Sequence, residues 1–274
     1  MNRVLIALAL LSTTVFAGNP HHYYPSTFIK IVKDKGLSDI KEDLFQILNQ
    51  NHTRIRGERD ILGCKPSLGK CYNQLSLGYK GARKVLFGTL HLQEDNKGYY
   101  VKDVYCNKVI RSNKSRIGPG TIPSHNVINC EHTWPQSKFS RSFPKGLQKS
   151  DLHHLYPTDS HANSVRGNYN FDEVNGTVVS DDCTASYTEG HGGNFEPPRE
   201  HKGNVARALF YFSVRYQLPI HHSLEETLRK WHEVDPVDNE EIERNQMIYV
   251  VQKNRNPYID NPRWVMDVWE DAIL

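Results

Sequence analysis

Two prolines constrain this chain more than any other feature in it. Pro135 and Pro157 both lack the N–H that the middle of a sheet requires. Val127 to Thr133 therefore reads as a strand stopped by Pro135, and Asp151 to Tyr156 as a second strand ended by Pro157. Thr158 or Asp159 can cap the helix that follows, which runs to Arg166 with Gly167 at its C′ position. The outline is strand, long basic loop, strand and short helix, over about residues 127–168. On that helix Asn163 and Arg166 are three apart and face the same way, so both are expected to reach one phosphate.

The residues inside this unit suit hydrolysis. Glu131 and Asn163 offer hard oxygen donors of the kind that Mg²⁺ accepts while keeping waters of its own. His132, with an ordinary pKa of about 6.5, can take a proton from water near neutral pH. Neighbours in a regular strand face opposite sides. Glu131 and His132 therefore converge only if the chain twists at the strand end, next to Pro135. A lone histidine is most often a surface or core residue, but His132, His153, His154 and His161 crowd this one stretch. A mixed zinc site from Cys130, His132, His153 or His161 is the rival metal reading. Neither a His-Glu-x-x-His spacing nor a Gly-x-Ser-x-Gly elbow occurs, so a metalloprotease or serine hydrolase has little support.

The only long apolar run is Val4 to Leu11, behind Asn2-Arg3 and ahead of small residues at Val15 and Ala17. Eight residues cannot cross a bilayer core of about 30 Å, so residues 1–17 read as a cleaved signal peptide. The chain is then expected to be exported, periplasmic or secreted, with no membrane attachment after cleavage. Five cysteines enter that oxidising setting. Cys64 and Cys71 bracket a turn-rich loop and are expected to pair; the partners of Cys106, Cys130 and Cys183 stay open, and one cysteine is left over. A monomer is the expected state.

With 38% hydrophobic and 10% aromatic residues among 274, the chain is too apolar for disorder. Helices are expected over Ser38 to Asn49, Val205 to Tyr216, Leu224 to His232 and Asn239 to Val251, whereas Ala82 to Leu92 and Gly98 to Cys106 suit helix or strand. The class is α+β, more helix than sheet, in one domain. The net charge of +3 hides an uneven distribution. Lys108 to Lys149 holds eight basic residues and one acid, and Glu225 to Glu243 holds eight acids. Such a basic stripe suits a polyanion bound through its phosphates.

The segment resembles the endonuclease I family, on Asn129-Cys130-Glu131-His132-Thr133-Trp134-Pro135-Gln136-Ser137, then Asp151-Leu152-His153-His154-Leu155, then Asn163 and Arg166-Gly167-Asn168. Similarity extends to Asp103-Val104-Tyr105-Cys106, Gly203-Asn204-Val205-Ala206-Arg207 and Gln252 to Asp260. The resemblance implies a mostly helical α+β domain over residues 18–274, carrying a ββα-metal finger and a small antiparallel sheet. It implies a metal-dependent endonuclease of little sequence preference that cuts DNA and RNA and leaves 5′-phosphate ends. It casts His132 as general base, Glu131 and Asn163 as ligands of one Mg²⁺-type ion (Ca²⁺ or Mn²⁺ able to replace it), and an arginine of the loop, here Arg141, at the scissile phosphate. Lys138, Lys145, Lys149 and Arg166 become candidate phosphate contacts, with His153 and Asn168 as supporting residues. The alternatives are another exported metal-dependent phosphoesterase and a nucleic-acid-binding protein without catalysis.

Overall fold

Helix packing supplies the frame in this computed structural model, which describes residues 20–35 and 40–265. Helix α1 (Ile40–Asn49) buries Ile40, Leu44, Ile47 and Leu48, a single apolar stripe. Ser38, its expected cap, lies outside the described residues, as does the expected signal peptide. Helix α2 (Gly78–Val85) continues into a π-helical turn, Leu86–Leu90, that buries Leu86, Phe87 and Leu90. Short α3 (Lys145–Lys149) and α4 (Ser160–Arg166) belong to the expected finger. The long α5 (Arg199–Tyr216) is buried around nearly its whole circumference, and α1 and α6 (His222–Val234) pack against it. Helix α7 (Asn239–Gln252) follows, and further helices cover Pro20–Tyr23, Ser26–Lys35 and Pro257–Asp260.

The sheets are small and antiparallel. The two segments that suited helix or strand separate: Ala82 onward is helical, and Gly98–Lys102 is the central strand of a three-stranded sheet. Strand β1 (Ile128–His132) pairs with strand β2 (Leu155–Asp159) in the register Ile128↔Asp159 to His132↔Leu155. The architecture is α+β with more helix than strand, as the sequence pattern indicates.

One strand boundary differs from expectation. Pro157 does not end the second strand but sits inside it, opposite Cys130, while Leu152–His154 forms a 3-10 turn instead of extended chain. The reason is the direction of the peptide groups. Pro157 O accepts from Val104 N at 2.9 Å, so the backbone edge of this residue faces away from β1. In an antiparallel strand the N of a residue points to the same side as its O. The missing proline N–H therefore costs the β1–β2 ladder nothing.

Two disulfides close the chain. Cys64–Cys71 is the local bridge expected, and Cys106–Cys183 is the second, across 77 positions; Cys130 is buried and free. The longer bridge ties the turn that carries Tyr105 to the strand Cys183–Thr188. Replacing Cys106 and Cys183 together by serine should lower stability by about 4 kcal/mol in chain-entropy terms, read as a lower denaturant midpoint.

Three histidines make stability depend on pH. His91, His153 and His201 are buried, and burial above all keeps each neutral; Arg244 adds to this at His91 and His201, while at His153 the nearby Asp151 opposes it and burial still wins. His153 and His201 are pulled down to about 3. Unfolding returns each to about 6.5, so below that pH the unfolded chain takes up protons the folded chain refuses. The stabilisation is complete above pH 6.5 and is lost as pH falls from 6.5 toward 3. The slope reaches about 1.4 kcal/mol per pH unit for each histidine. Urea midpoints should be level above neutrality and fall steadily between pH 6.5 and 4; a level profile across that range would contradict this account.

Candidate active site

Each side chain of the expected finger is aimed by a local backbone feature. The β1–β2 ladder is prolonged by Thr133 N donating to His154 O at 3.0 Å, after which the chain bends at Thr133 and Trp134 ahead of Pro135. Asp159, the last residue of β2, is the cap of α4: its Oδ1 accepts from His161 N at 2.9 Å and Ala162 N at 3.0 Å. Gly167 closes that helix at φ +53°, a left-handed conformation suited to glycine. One turn into α4, Asn163 faces the end of β1.

The result is a cleft of about 340 Å³, lined by Glu131, His132, Asn163, Gln136, Tyr79 and Asn168 among others. Glu131 and His132, successive in the strand, open on the same cleft, and Asn163 joins them from the helix.

His132 is held in one tautomer. Its Nε2–H donates to Lys149 O at 3.1 Å, which leaves the lone pair on Nδ1. The Gln136 amide lies 3.4 Å from that nitrogen. Burial above all, then the neighbouring His154, pulls its pKa down to about 3. The imidazole is therefore neutral across the physiological range, with the Nδ1 lone pair on the side of Gln136.

Glu131 is 2% exposed. Tyr105 Oη–H donates to its Oε1 at 2.8 Å, and Arg166 Nε stands 3.4 Å from the same oxygen. None of the hydrogen bonds among the described residues goes to Oε2. A carboxylate fixed through one oxygen, beside an amide on the facing helix, is a hard donor pair with room for water, which fits Mg²⁺. The zinc alternative does not assemble. The described residues hold no group of three or more His, Cys, Asp or Glu able to grip a metal. His153 Nε2–H donates instead to Asn254 O at 3.3 Å, and burial pushes the Cys130 thiol up to about 12.

Arg166 differs from its expected role. It is 1% exposed; its guanidinium donates to Thr133 O at 2.7 Å, His132 O at 3.4 Å and Gly167 O at 3.2 Å, and lies over the Phe171 ring. The three-residue spacing from Asn163 placed it on the helix face that meets β1, and a long side chain there is covered by the strand end. It braces the finger, with its Nη donors spent on backbone carbonyls. Of the two adjacent histidines, His154 packs on His132, with ring centroids 5.4 Å apart, while His153 packs on Tyr211.

The loop cations lie outside the buried core. Arg141, Lys138 and Lys145 are exposed, Lys138 donating to Asn170 Oδ1 at 2.8 Å. Lys149 lies over the Tyr79 ring at 4.4 Å, and Asn168 Nδ2 is 3.4 Å from Ser137 Oγ. The basic stripe is thinner than its count suggests. Lys108 is paired with Asp159 and Asp182, and Arg111 with Asp95.

Tyr105, Tyr79 and the Lys149 carbonyl were not among the expected site residues. Tyr105 lies in the Asp103–Cys106 block already marked by resemblance. Asp103 folds that block by accepting at Oδ1 from Tyr105 N at 3.0 Å, Cys106 N at 2.8 Å and Asp159 N at 3.2 Å. Tyr79 stands in a stretch that carries no readable motif.

Comparison with known proteins places the chain in a family. Residues 64–263 match the endonuclease I family. An extracellular ribonuclease of Bacillus subtilis (strain 168) is 38% identical over 159 residues, covering 52% of this chain and 54% of that protein. A periplasmic deoxyribonuclease of Aeromonas hydrophila is 25% identical over 162 residues, covering 59% and 68%. An extracellular deoxyribonuclease of the same species is 26% identical over 196 residues, covering 61% and 85%. The matched region spans about half the length of the Bacillus relative.

Tyr105 offers a direct check on how Glu131 is held. Tyr105→Phe removes one hydrogen bond to the carboxylate and nothing else in the cleft. If Glu131 is the metal ligand that the resemblance implies, the affinity of the protein for Mg²⁺ or Mn²⁺ in titration calorimetry should fall about ten- to hundredfold, with the fold retained. Unchanged affinity would show that the Tyr105 hydroxyl has no part in metal binding.

Proposed function

The chain belongs to the endonuclease I family, and on that premise we propose that it is an exported, metal-dependent endonuclease that hydrolyses phosphodiester bonds of DNA and RNA with little sequence preference. The observation that carries the reading is the meeting of Glu131, His132 and Asn163 in one cleft at the end of a strand–strand–helix unit. The relatives named ribonuclease and deoxyribonuclease support both substrates. Their extracellular and periplasmic names, the two disulfides and the short apolar leader support export; no described helix is long and apolar enough to cross a membrane.

In this reading His132 Nδ1 removes a proton from the attacking water. Lys149 O, already bonded to Nε2–H, then holds the imidazolium that results. Glu131, through Oε2, and the Asn163 amide would hold one Mg²⁺-type ion, with Ca²⁺ or Mn²⁺ able to replace it. When bound, that ion supplies positive charge against the charge that builds on the phosphate and its leaving oxygen. Water forms the new P–O bond while the bond to the 3′-oxygen breaks, which leaves a 5′-phosphate end. Arg141, Lys138, Lys145 and Lys149 line up the strand through its phosphates, with Asn168 at the cleft rim, a contact mode that carries no sequence information. The protein works as a monomer.

Digestion of plasmid DNA and total RNA by the purified protein, with Mg²⁺ against EDTA, tests the proposal. Cleavage is expected only with the metal. His132→Ala should keep the fold and lose 10²-fold or more of turnover, the contribution of a positioned base. Undiminished cleavage by that variant would remove His132 from the mechanism, and no cleavage under any divalent metal would remove the nuclease reading.

A further inference from the structure

A second cleft of about 290 Å³ adjoins the catalytic one, and Pro135 and Arg166 line both. Its character is different. Where the catalytic cleft presents an acid, an imidazole and amides, this one presents Trp134, Tyr169, Phe171, Leu218, Ile220 and Leu224. Trp134 is locked by its indole N–H donating to Lys138 O at 2.9 Å and by stacking on Phe212. Lys138 also lines this cleft and is itself exposed, so a cation stands beside the apolar surface.

Two groups of the lining are unused by the protein. Tyr169 is half-buried and stacks on no other ring among the described residues. Thr133 is fully buried, and its hydroxyl has no hydrogen-bond partner among them. A flat apolar cleft with an idle aromatic ring, an idle hydroxyl and a neighbouring ammonium has the features needed by one particular guest. An aromatic face takes a base by stacking whatever its identity, a hydroxyl can donate or accept, and the ammonium meets the phosphate.

We propose that this cleft is a nucleobase subsite, taking one unpaired base of a single strand while the adjoining phosphate lies in the catalytic cleft. The proposal rests on the nuclease reading above and deepens it. The cleft has room for one ring system, and a base inside a duplex is covered on both faces and tied to its partner. The subsite therefore favours single-stranded RNA or DNA and reads no sequence.

The test is binding of single-stranded hexanucleotides to the full chain in EDTA, where cutting is off, with one abasic position moved along the oligonucleotide. RNA and DNA series run in parallel. One position should weaken binding about tenfold when its base is absent, the usual worth of a stacked base. In Tyr169→Ala the intact oligonucleotide should bind about tenfold more weakly and the abasic step should vanish. Tyr169→Phe, which keeps the ring, should behave as the parent protein. A step in both series means that the base alone is recognised; a step in RNA only adds the 2′-hydroxyl. A scan without a step, a step that persists in Tyr169→Ala, or no binding of single strands overturns the subsite. Mg²⁺ added to the same oligonucleotides reads the nuclease proposal separately: cleavage with a level scan removes the subsite alone, and a stepped scan without cleavage removes the nuclease reading alone.

Discussion

Arg166 is a positive charge almost cut off from water, and the finger is arranged around its need for partners. A buried guanidinium is tolerated only when its donors and charge are answered. Here the carbonyls of His132, Thr133 and Gly167 answer the Nη donors, and the carboxylate of Glu131 answers the charge. Those partners come from the end of β1 and the end of α4. Satisfying one side chain therefore fixes the helix against the strand, and with it the separation of Asn163 from Glu131 and His132. Any loosening of this contact would leave a buried charge unpaired, so the geometry of the cleft is held by an energetic penalty on alternatives.

A second anchor acts from below. Asp103 draws together the turn through Tyr105 and Cys106 and the start of the capped helix at Asp159, all with backbone N–H donors. Tyr105 then reaches Glu131, and Cys106 is bolted to Cys183. The Glu131 carboxylate is thus supported by a residue nearly thirty positions earlier, through a turn that a disulfide stiffens. This is a common physical pattern: the groups that do chemistry are few, and the groups that hold them are drawn from distant chain segments.

The division of labour between the two adjoining clefts follows from what each backbone segment exposes. The end of β1 and the first turn of α4 present oxygen and nitrogen to one side. On the other side Trp134 and Tyr169 meet the apolar rim contributed by residues 218–224, and the lining turns from polar to aromatic. Pro135 and Arg166 stand at the boundary.

Local rules read from the residues went far. Proline and glycine punctuation, the Asp159 cap and the stripe Ile40, Leu44, Ile47 and Leu48 determined the finger's order, the helices and the Cys64–Cys71 loop, because caps, turns and amphipathic spacing act over only a few residues. The same reading put Glu131, His132 and Asn163 into one chemistry. Only the tertiary structure decided that Pro157 lies within a strand, since that depends on which peptide edge faces a neighbour. It also decided that Arg166 braces the strand end, that His154 packs on His132, and that Cys106 pairs with Cys183 while Cys130 stays free. Tyr105 at Glu131 and the tautomer of His132 belong to the same class. Each of these turns on burial or on contacts between residues far apart in the chain, and neither can be read from spacing along the sequence.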